Sequence, residues 1–315
     1  MENLIVSSSP HAHSKTTTQK IMADMLIALA PAAIASVVLY GVAAFVTIAI
    51  CVAACVLSEF IFNICAKKAQ TISDLSAIVT GLLLALSLPK TAGIWPCIVG
   101  SVFAIVVVKC LFGGIGGNFA NPAVTARILM LTAFGTSVGG GTATLFQSAD
   151  FASSATPMDI INNGAEGALP SLLDMLIGNR GGAIGEGCIV ALVLGGIYLL
   201  ARKVIKWHTP VIFIATVFVL SLIVLGDVSL ALYEVLGGGV VIAAFFMATD
   251  YSTTPINARG KMVFALGCGV FTVLIRFLGA YPEGVSFAIL IMNILAPYIE
   301  KLCAKKPFGK AGKKA

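Results

Sequence analysis

Apolar stretches of about 20 residues recur along this chain, and little but a transmembrane helix uses such a run. They fall at about 22–40, 42–65, 72–89, 91–112, 122–138, 183–201, 209–226, 229–248, 262–279 and 284–300. Ten spans use up most of the 315 residues, so no large soluble domain fits beside them. Only 11% of residues are charged and the mean hydropathy is +1.01, which agrees with a bundle immersed in lipid. The expected fold is an all-α polytopic membrane protein of one domain, residues 1–315. A polar segment 1–20 precedes it, a loop 139–182 divides it and a basic tail 301–315 follows. The first 20 residues lack an apolar core, so no cleaved signal peptide is expected.

The net charge of +6 raises the question of nucleic acid, and the placement of the charges answers it. With the N-terminus inside, fifteen cations gather on the inner side: Lys15, Lys20, Lys67, Lys68, Arg202, Lys203, Lys206, Arg259, Lys261, Lys301, Lys305, Lys306, Lys310, Lys313 and Lys314. Only Lys90 and Arg180 lie in outer loops, while Lys109, Arg127 and Arg276 lie in or at the ends of helices. This asymmetry predicts both termini in the cytoplasm and the loop 139–182 outside. The partner implied by the positive charge is the lipid bilayer, and no nucleic acid is expected.

The halves resemble each other. A shift of 167 residues sets Gly100 on Gly267, Lys109 on Arg276 and Leu111 on Leu278. Five helices per half is an odd number, so the second half enters the membrane inverted, as in proteins that bind a solute or ion near the midplane. Eight cysteines are scattered without CxxC or metal-ligand spacing. Cys51 and Cys55 share one helix face and read as small buried residues.

Three polar stretches interrupt the apolar pattern. "LFGGIGGNFANPAVTAR" carries four glycines and an Asn-Pro, and suits either a packed turn or a re-entrant contact. Arg127 beside it needs a counter-charge, a phosphate or water. In "MATDYSTTPINARGK", Asp250 ends a helix among Thr249, Ser252, Thr253 and Thr254, a group suited to a hard cation or to a plain solvated turn. Further acids at membrane depth are Asp24, Glu59, Asp74, Glu186 and Glu234; all lie near span ends, within reach of water. The third stretch, "DFASSATPMDI", is in the outer loop. Thr156-Pro157-Met158-Asp159 reads as a helix start, with Thr156 as N-cap, and such an end welcomes a phosphate. "PSLLDMLIGN" after it reads as a short interfacial helix with Met175 and the leucines apolar, and Ser171 and Asp174 polar.

"SSSPHAHSKTTTQKIMADMLIALAPA", "DFASSATP" with "PSLLDMLIG", and "FMATDYSTTP" together resemble the RnfD family, the D component of the Rnf ferredoxin:NAD⁺ oxidoreductase complex. The sister family, the B component of the Na⁺-translocating NADH:quinone reductase, has a longer N-terminal extension. The resemblance implies two inverted five-helix repeats related to urea channels, in a bacterial or archaeal cell membrane. It implies FMN joined by a phosphoester to Thr156, with Asp150, Ser153, Ser154 and Ala155 completing the acceptor motif; Ser154 stands where glycine is frequent. It implies Asp250 in a cation path through its A-T-D motif, although Tyr251 follows where proline is usual, and Glu234 and Glu59 are further candidates. A second, non-covalent flavin is compatible with it. Implied partners are the other Rnf components: RnfA and RnfE in the membrane, the flavin-bearing RnfG, the soluble RnfC and RnfB, and a flavin transferase for maturation. The expected function is electron transfer coupled to Na⁺ or H⁺ transport, catalytic only within the complex. The alternatives are a solute channel without redox chemistry, or a scaffold without cofactor.

Overall fold

The computed structural model describes residues 16–139, 144–145, 156–163, 169–279 and 284–304. The described residues are helical, without strands. The helices are α1 (Thr18–Tyr40), α2 (Val42–Cys65), α3 (Ser76–Leu86), α4 (Ile94–Cys110), α5 (Pro122–Ala133), α6 (Pro157–Asn163) and α7 (Leu172–Ile177). They continue with α8 (Ile189–Ala201), α9 (His208–Leu225), α10 (Val228–Leu236), α11 (Val240–Met247), α12 (Ala258–Leu278) and α13 (Val285–Cys303). Each of the ten apolar runs contains a helix. Five helices (α1, α2, α9, α12 and α13) are long and apolar enough to cross a membrane, and α10 with α11 forms a sixth candidate bent by 59°. The remaining runs hold the shorter apolar helices α3, α4, α5 and α8. The architecture is that of a multi-pass membrane protein.

Local chemistry sets the boundaries. The Thr17 hydroxyl accepts from the Lys20 amide at 3.3 Å to start α1, and Gly41 at φ +73° turns the chain into α2. Asn121 caps α5 by accepting from the Ala123 amide at 3.1 Å, and Pro122 occupies the first turn, where no amide is missed. Residues 229–248 do not form the one continuous helix expected. Gly238 and Gly239 take φ of +56° and +73°, a region that side chains avoid, and the helix breaks there.

The first half packs α2 on α3 and α4; the second packs α9 on α10 and α12. Across the middle α1 meets α8, running the opposite way. Tyr198 and Arg202 at the end of α8 donate to Asp24 near the start of α1, at 3.0 and 3.2 Å. Ser36, near the end of α1, donates to the Ile184 carbonyl before α8 at 2.9 Å. Asp24 is therefore paired at the end of α8, with an arginine that stays exposed.

The three aligned pairs of the internal repeat each have equivalent surroundings. A Cβ at Gly100 would strike the thioether of Met130 on α5; one at Gly267 would strike that of Met292 on α13. Lys109 and Arg276, near the C-terminal ends of α4 and α12, are both buried and ion-paired with a buried glutamate. Leu111 and Leu278 are both exposed. Cys51 and Cys55 lie in the core as expected.

Close contact between α1 and α8 depends on Gly195, where a Cβ would collide with the Ala28 carbonyl oxygen. Membrane helices lack a hydrophobic drive to associate and rely on such small-residue contacts. Gly195→Val is expected to lower stability by about 1–3 kcal/mol. Thermal unfolding in detergent measures it, and an unchanged midpoint would contradict this packing.

Candidate functional site

Thr156 lies immediately before α6 and is buried; its carbonyl accepts from the Ile160 amide at 3.1 Å. The helix begins at Pro157, as the Thr-Pro signal anticipates. Asp150, Ser153, Ser154 and Ala155 lie outside the described residues. The first turn of α6 is held from below. Met158 is buried in a cluster with Met175 of α7 and Tyr233 of α10. Tyr233 donates its hydroxyl to the Pro170 carbonyl at 2.5 Å, tying α10 to the start of α7. Met158 also rests on the helix break, where a Cβ on Gly237 would lie 2.7 Å from its Cε. In α7 Ser171 caps Asp174, Met175 points into the protein and Leu173 and Ile177 point out, so its apolar residues serve two faces.

The break between α10 and α11 is clamped by Arg276. Its Nη1 donates to the Glu234 carboxylate at 2.7 Å and the Glu234 carbonyl at 2.6 Å, and its Nη2 to the Gly237 and Gly238 carbonyls, each at 3.2 Å. A guanidinium satisfies several acceptors that the broken helix would otherwise leave bare. Glu234 was expected within reach of water; it is fully buried against Arg276.

Arg180 approaches the same break. It is buried, and its Nη2 donates to the Leu236 carbonyl at 2.9 Å and the Glu186 carbonyl at 3.1 Å. Its own carbonyl accepts from the Tyr40 hydroxyl at 3.4 Å, and its Nε has no hydrogen-bond partner among the described residues. Burial draws its pKa below the usual arginine value, with the Glu186 carboxylate opposing. The group remains a cation at neutral pH. Its role was not anticipated, although it was one of only two cations assigned to outer loops.

Asp250 lies in the turn after α11, at the other end of the bundle. Its carboxylate accepts from the Ser252 amide at 3.2 Å, the Ser252 hydroxyl at 2.9 Å and the Thr253 hydroxyl at 3.2 Å. Thr254 donates instead to the Asp250 carbonyl, and Thr249 to the Phe245 carbonyl, so two of the four expected hydroxyls reach the carboxylate. Burial raises the Asp250 pKa, and the Ser252 and Thr253 hydrogen bonds hold it back.

Asp250 borders a cavity of about 80 Å³, lined also by Met25, Ser76, Leu83, Lys109, Asn118, Asn121 and Phe246. Asn118 Oδ1 is buried there without a partner among the described residues. Lys109 borders a second cavity of about 260 Å³ with Glu59, Asn63, Thr71 and Asp74. Its Nζ donates to both Glu59 oxygens at 2.8 Å and to Ser76 Oγ at 2.7 Å. Thr71 donates to Glu59 at 2.5 Å. Glu59 is thus ion-paired and buried, where water contact was expected. The glycine-rich stretch, with Gly113, Gly114 and Gly116 at positive φ, contributes Ile115 to both cavities. Lys109 brings Glu59 and Asp250 to adjoining cavities, whereas Glu234 and Thr156 belong to the opposite end. Arg127, expected to need a partner, donates to the Val138 carbonyl at 3.2 Å and lines a small cavity with Glu186. Among the described residues no three His, Cys, Asp or Glu side chains form a metal-binding group.

The chain is similar over nearly its whole length to three proteins of named role, each the D component of its complex. It is 42% identical over 310 residues to that of the Na⁺-translocating ferredoxin:NAD⁺ oxidoreductase complex of Acetobacterium woodii, covering 98% of this chain and 96% of that one. It is 37% identical over 318 residues to that of the proton-translocating ferredoxin:NAD⁺ oxidoreductase complex of Clostridium ljungdahlii, covering 96% of each. It is 33% identical over 344 aligned positions to that of the ion-translocating oxidoreductase complex of Shewanella amazonensis, covering 98% of each. A family profile matches residues 5–309, and the chain belongs to the NQR2, RnfD, RnfE family.

Proposed function

We propose that this chain is the D component of a membrane-bound, ion-translocating ferredoxin:NAD⁺ oxidoreductase, with FMN esterified through its phosphate to Thr156 on the extracytoplasmic side. The full-length similarity to the D components of such complexes carries the role. The acceptor register ending on Thr156 carries the attachment. A phosphodiester brings negative charge, and the wall around the break that supports α6 holds a buried guanidinium with an unused donor, so the residues present fit such a group.

Bound FMN supplies the electron-transfer chemistry that no side chain here provides. The chain's own part is placement. Thr156 carries the ester, Met158 and Met175 fix the helix that follows it, and Asp150, Ser153, Ser154 and Ala155 form the motif for a flavin transferase. The expected assembly is RnfA and RnfE in the membrane, the flavin-bearing RnfG, whose flavin would exchange electrons with the bound FMN, and the soluble RnfC and RnfB. The chain works as one component of a translocase in a bacterial or archaeal cell membrane, both termini cytoplasmic, and is not catalytic alone.

Asp250, with Glu59 beside Lys109, offers the cation path its carboxylates, and a carboxylate with hydroxyls serves Na⁺ or H⁺. The names of two relatives split the same way. The cavity at Asp250 is apolar at Met25, Leu83 and Phe246 and polar at Asn118 and Asn121; a further non-covalent flavin belongs to this proposal on the resemblance alone. A redox-free channel is the second reading, favoured by the two cavities and the broken helix.

Flavin fluorescence on a denaturing gel decides between them, with protein from a host that has a flavin transferase. The wild-type band is expected to fluoresce and Thr156→Ala to be dark. A dark wild-type band, or fluorescence that survives the substitution, would overturn the flavin attachment.

A further inference from the structure

Arg180 is a cation taken out of water, and among the described residues no carboxylate is hydrogen-bonded to its guanidinium. Its side-chain hydrogen bonds run to two backbone carbonyls, and Nε is left with none among the described residues. A buried charge is tolerated when it is paired and fully hydrogen-bonded, and an unused charged donor is costly. The structure therefore presents an arginine with capacity for one more acceptor, preferably an anion.

Its location narrows the anion. Arg180 Nη2 is bonded to the Leu236 carbonyl, and Met158, two residues after Thr156, packs on Gly237 and Gly238. Arg180 and the segment starting at Thr156 therefore meet on one short stretch, Leu236 to Gly238. Arg276 reaches this stretch too, but its guanidinium is already engaged by the Glu234 carboxylate and three carbonyls. Lys90, the other outer-loop cation, lies 5.9 Å from the centroid of the Tyr40 ring. Arg180 combines burial, positive charge and a spare donor.

We propose that Arg180 binds the phosphoryl group of the flavin ester on Thr156, through its Nε–H. The inference rests on the Thr156 reading above. Arg180 then holds the ester as a positioning group: it restrains the phosphate against the α10–α11 break and so limits where the flavin ring can swing. An arginine suits this better than a lysine, because its fork can keep the Leu236 and Glu186 carbonyls while the third side of the plane faces the phosphate.

A double-mutant cycle separates this role from that of a plain staple between carbonyls. Full-length protein is prepared with and without Arg180→Gln, in both the flavinylated form and the Thr156→Ala form, which lacks the phosphate. Arg180→Gln is expected to lower the thermal unfolding midpoint of the flavinylated protein by roughly 2–4 °C more than that of the Thr156→Ala protein. It is also expected to move the ³¹P resonance of the phosphodiester. Equal drops in the two backgrounds with an unmoved ³¹P signal would overturn the contact. If Arg180→Gln does not accumulate, Arg180→Lys takes its place in the same cycle, since it keeps the charge and loses the fork. A wild-type band without flavin fluorescence would instead sink the Thr156 reading, and this inference with it; a fluorescent wild type with an indifferent Arg180 sinks the inference alone.

Discussion

Arg276→Leu is expected to prevent the protein from accumulating in folded form. The substitution leaves the Glu234 carboxylate fully buried without its cation and strips the Glu234, Gly237 and Gly238 carbonyls of their donor. Removing one partner of a buried pair typically costs about 3–5 kcal/mol, a large part of a protein's whole stability. Arg276→Lys is expected to recover only part of it, since one ammonium cannot reach the carboxylate and both sides of the break together. Glu234→Gln combined with Arg276→Leu should do better than Arg276→Leu alone, because the stranded charge is gone. The check is the monodisperse fraction on size-exclusion chromatography with the unfolding midpoint. Normal accumulation of Arg276→Leu would mean that the clamp contributes little.

Asp250→Ala is expected to cut cation transport by the assembled complex about tenfold or more, which corresponds to roughly 1.4 kcal/mol or above. Covalent flavin should be unaffected, because Thr156 is at the opposite end of the bundle. The substitution removes the carboxylate on which the Ser252 and Thr253 hydroxyls converge at the edge of the cavity lined by Asn118 and Asn121. The pH dependence has a definite sign. Burial raises the Asp250 pKa, so protons compete for the carboxylate at higher pH than they would for an exposed aspartate. Apparent cation affinity should weaken as pH falls through that raised value and level off above it. Uptake into vesicles holding the whole complex, measured across pH, tests both statements; undiminished transport by Asp250→Ala would remove this residue from the path.

The course of the helices was legible because lipid leaves the backbone few choices, and every long apolar run holds a helix. Their continuity was less legible. Gly237, Gly238 and Gly239 stood in plain view, yet the apolar residues on either side favoured an unbroken span; the φ values at Gly238 and Gly239 decide for a break. Glu59 and Glu234 show a different limit. Distance from a span end suggested contact with water, but Lys109 and Arg276, 50 and 42 residues away in sequence, supply the charge instead. Such pairings belong to tertiary packing and leave no local signature. Asp250 was picked out correctly as a polar cluster, while hydroxyl directions, which depend on helix register, sent Thr249 and Thr254 to backbone carbonyls. Arg180 escaped notice because topology counted it only as a charge on one side. Thr156 owes its assignment to a motif, and helix rules added only the start of α6.

The two sockets in which Gly100 and Gly267 receive Met130 and Met292 bear on how far a chain can drift from its own internal copy. A five-helix unit used twice in opposite orientations cannot keep the same loops, since the charges that hold one copy upright would hold the other upside down. Loop sequences are therefore driven apart, and lipid-facing positions are free to exchange one aliphatic residue for another. Residue character persists where an atom has nowhere else to go: a missing Cβ opposite a thioether, and a cation, Lys109 or Arg276, sealed against a glutamate. A faint internal resemblance is thus what a unit duplicated in this way should show, and the two buried matches, unlike the exposed Leu111 and Leu278, sit at tight contacts.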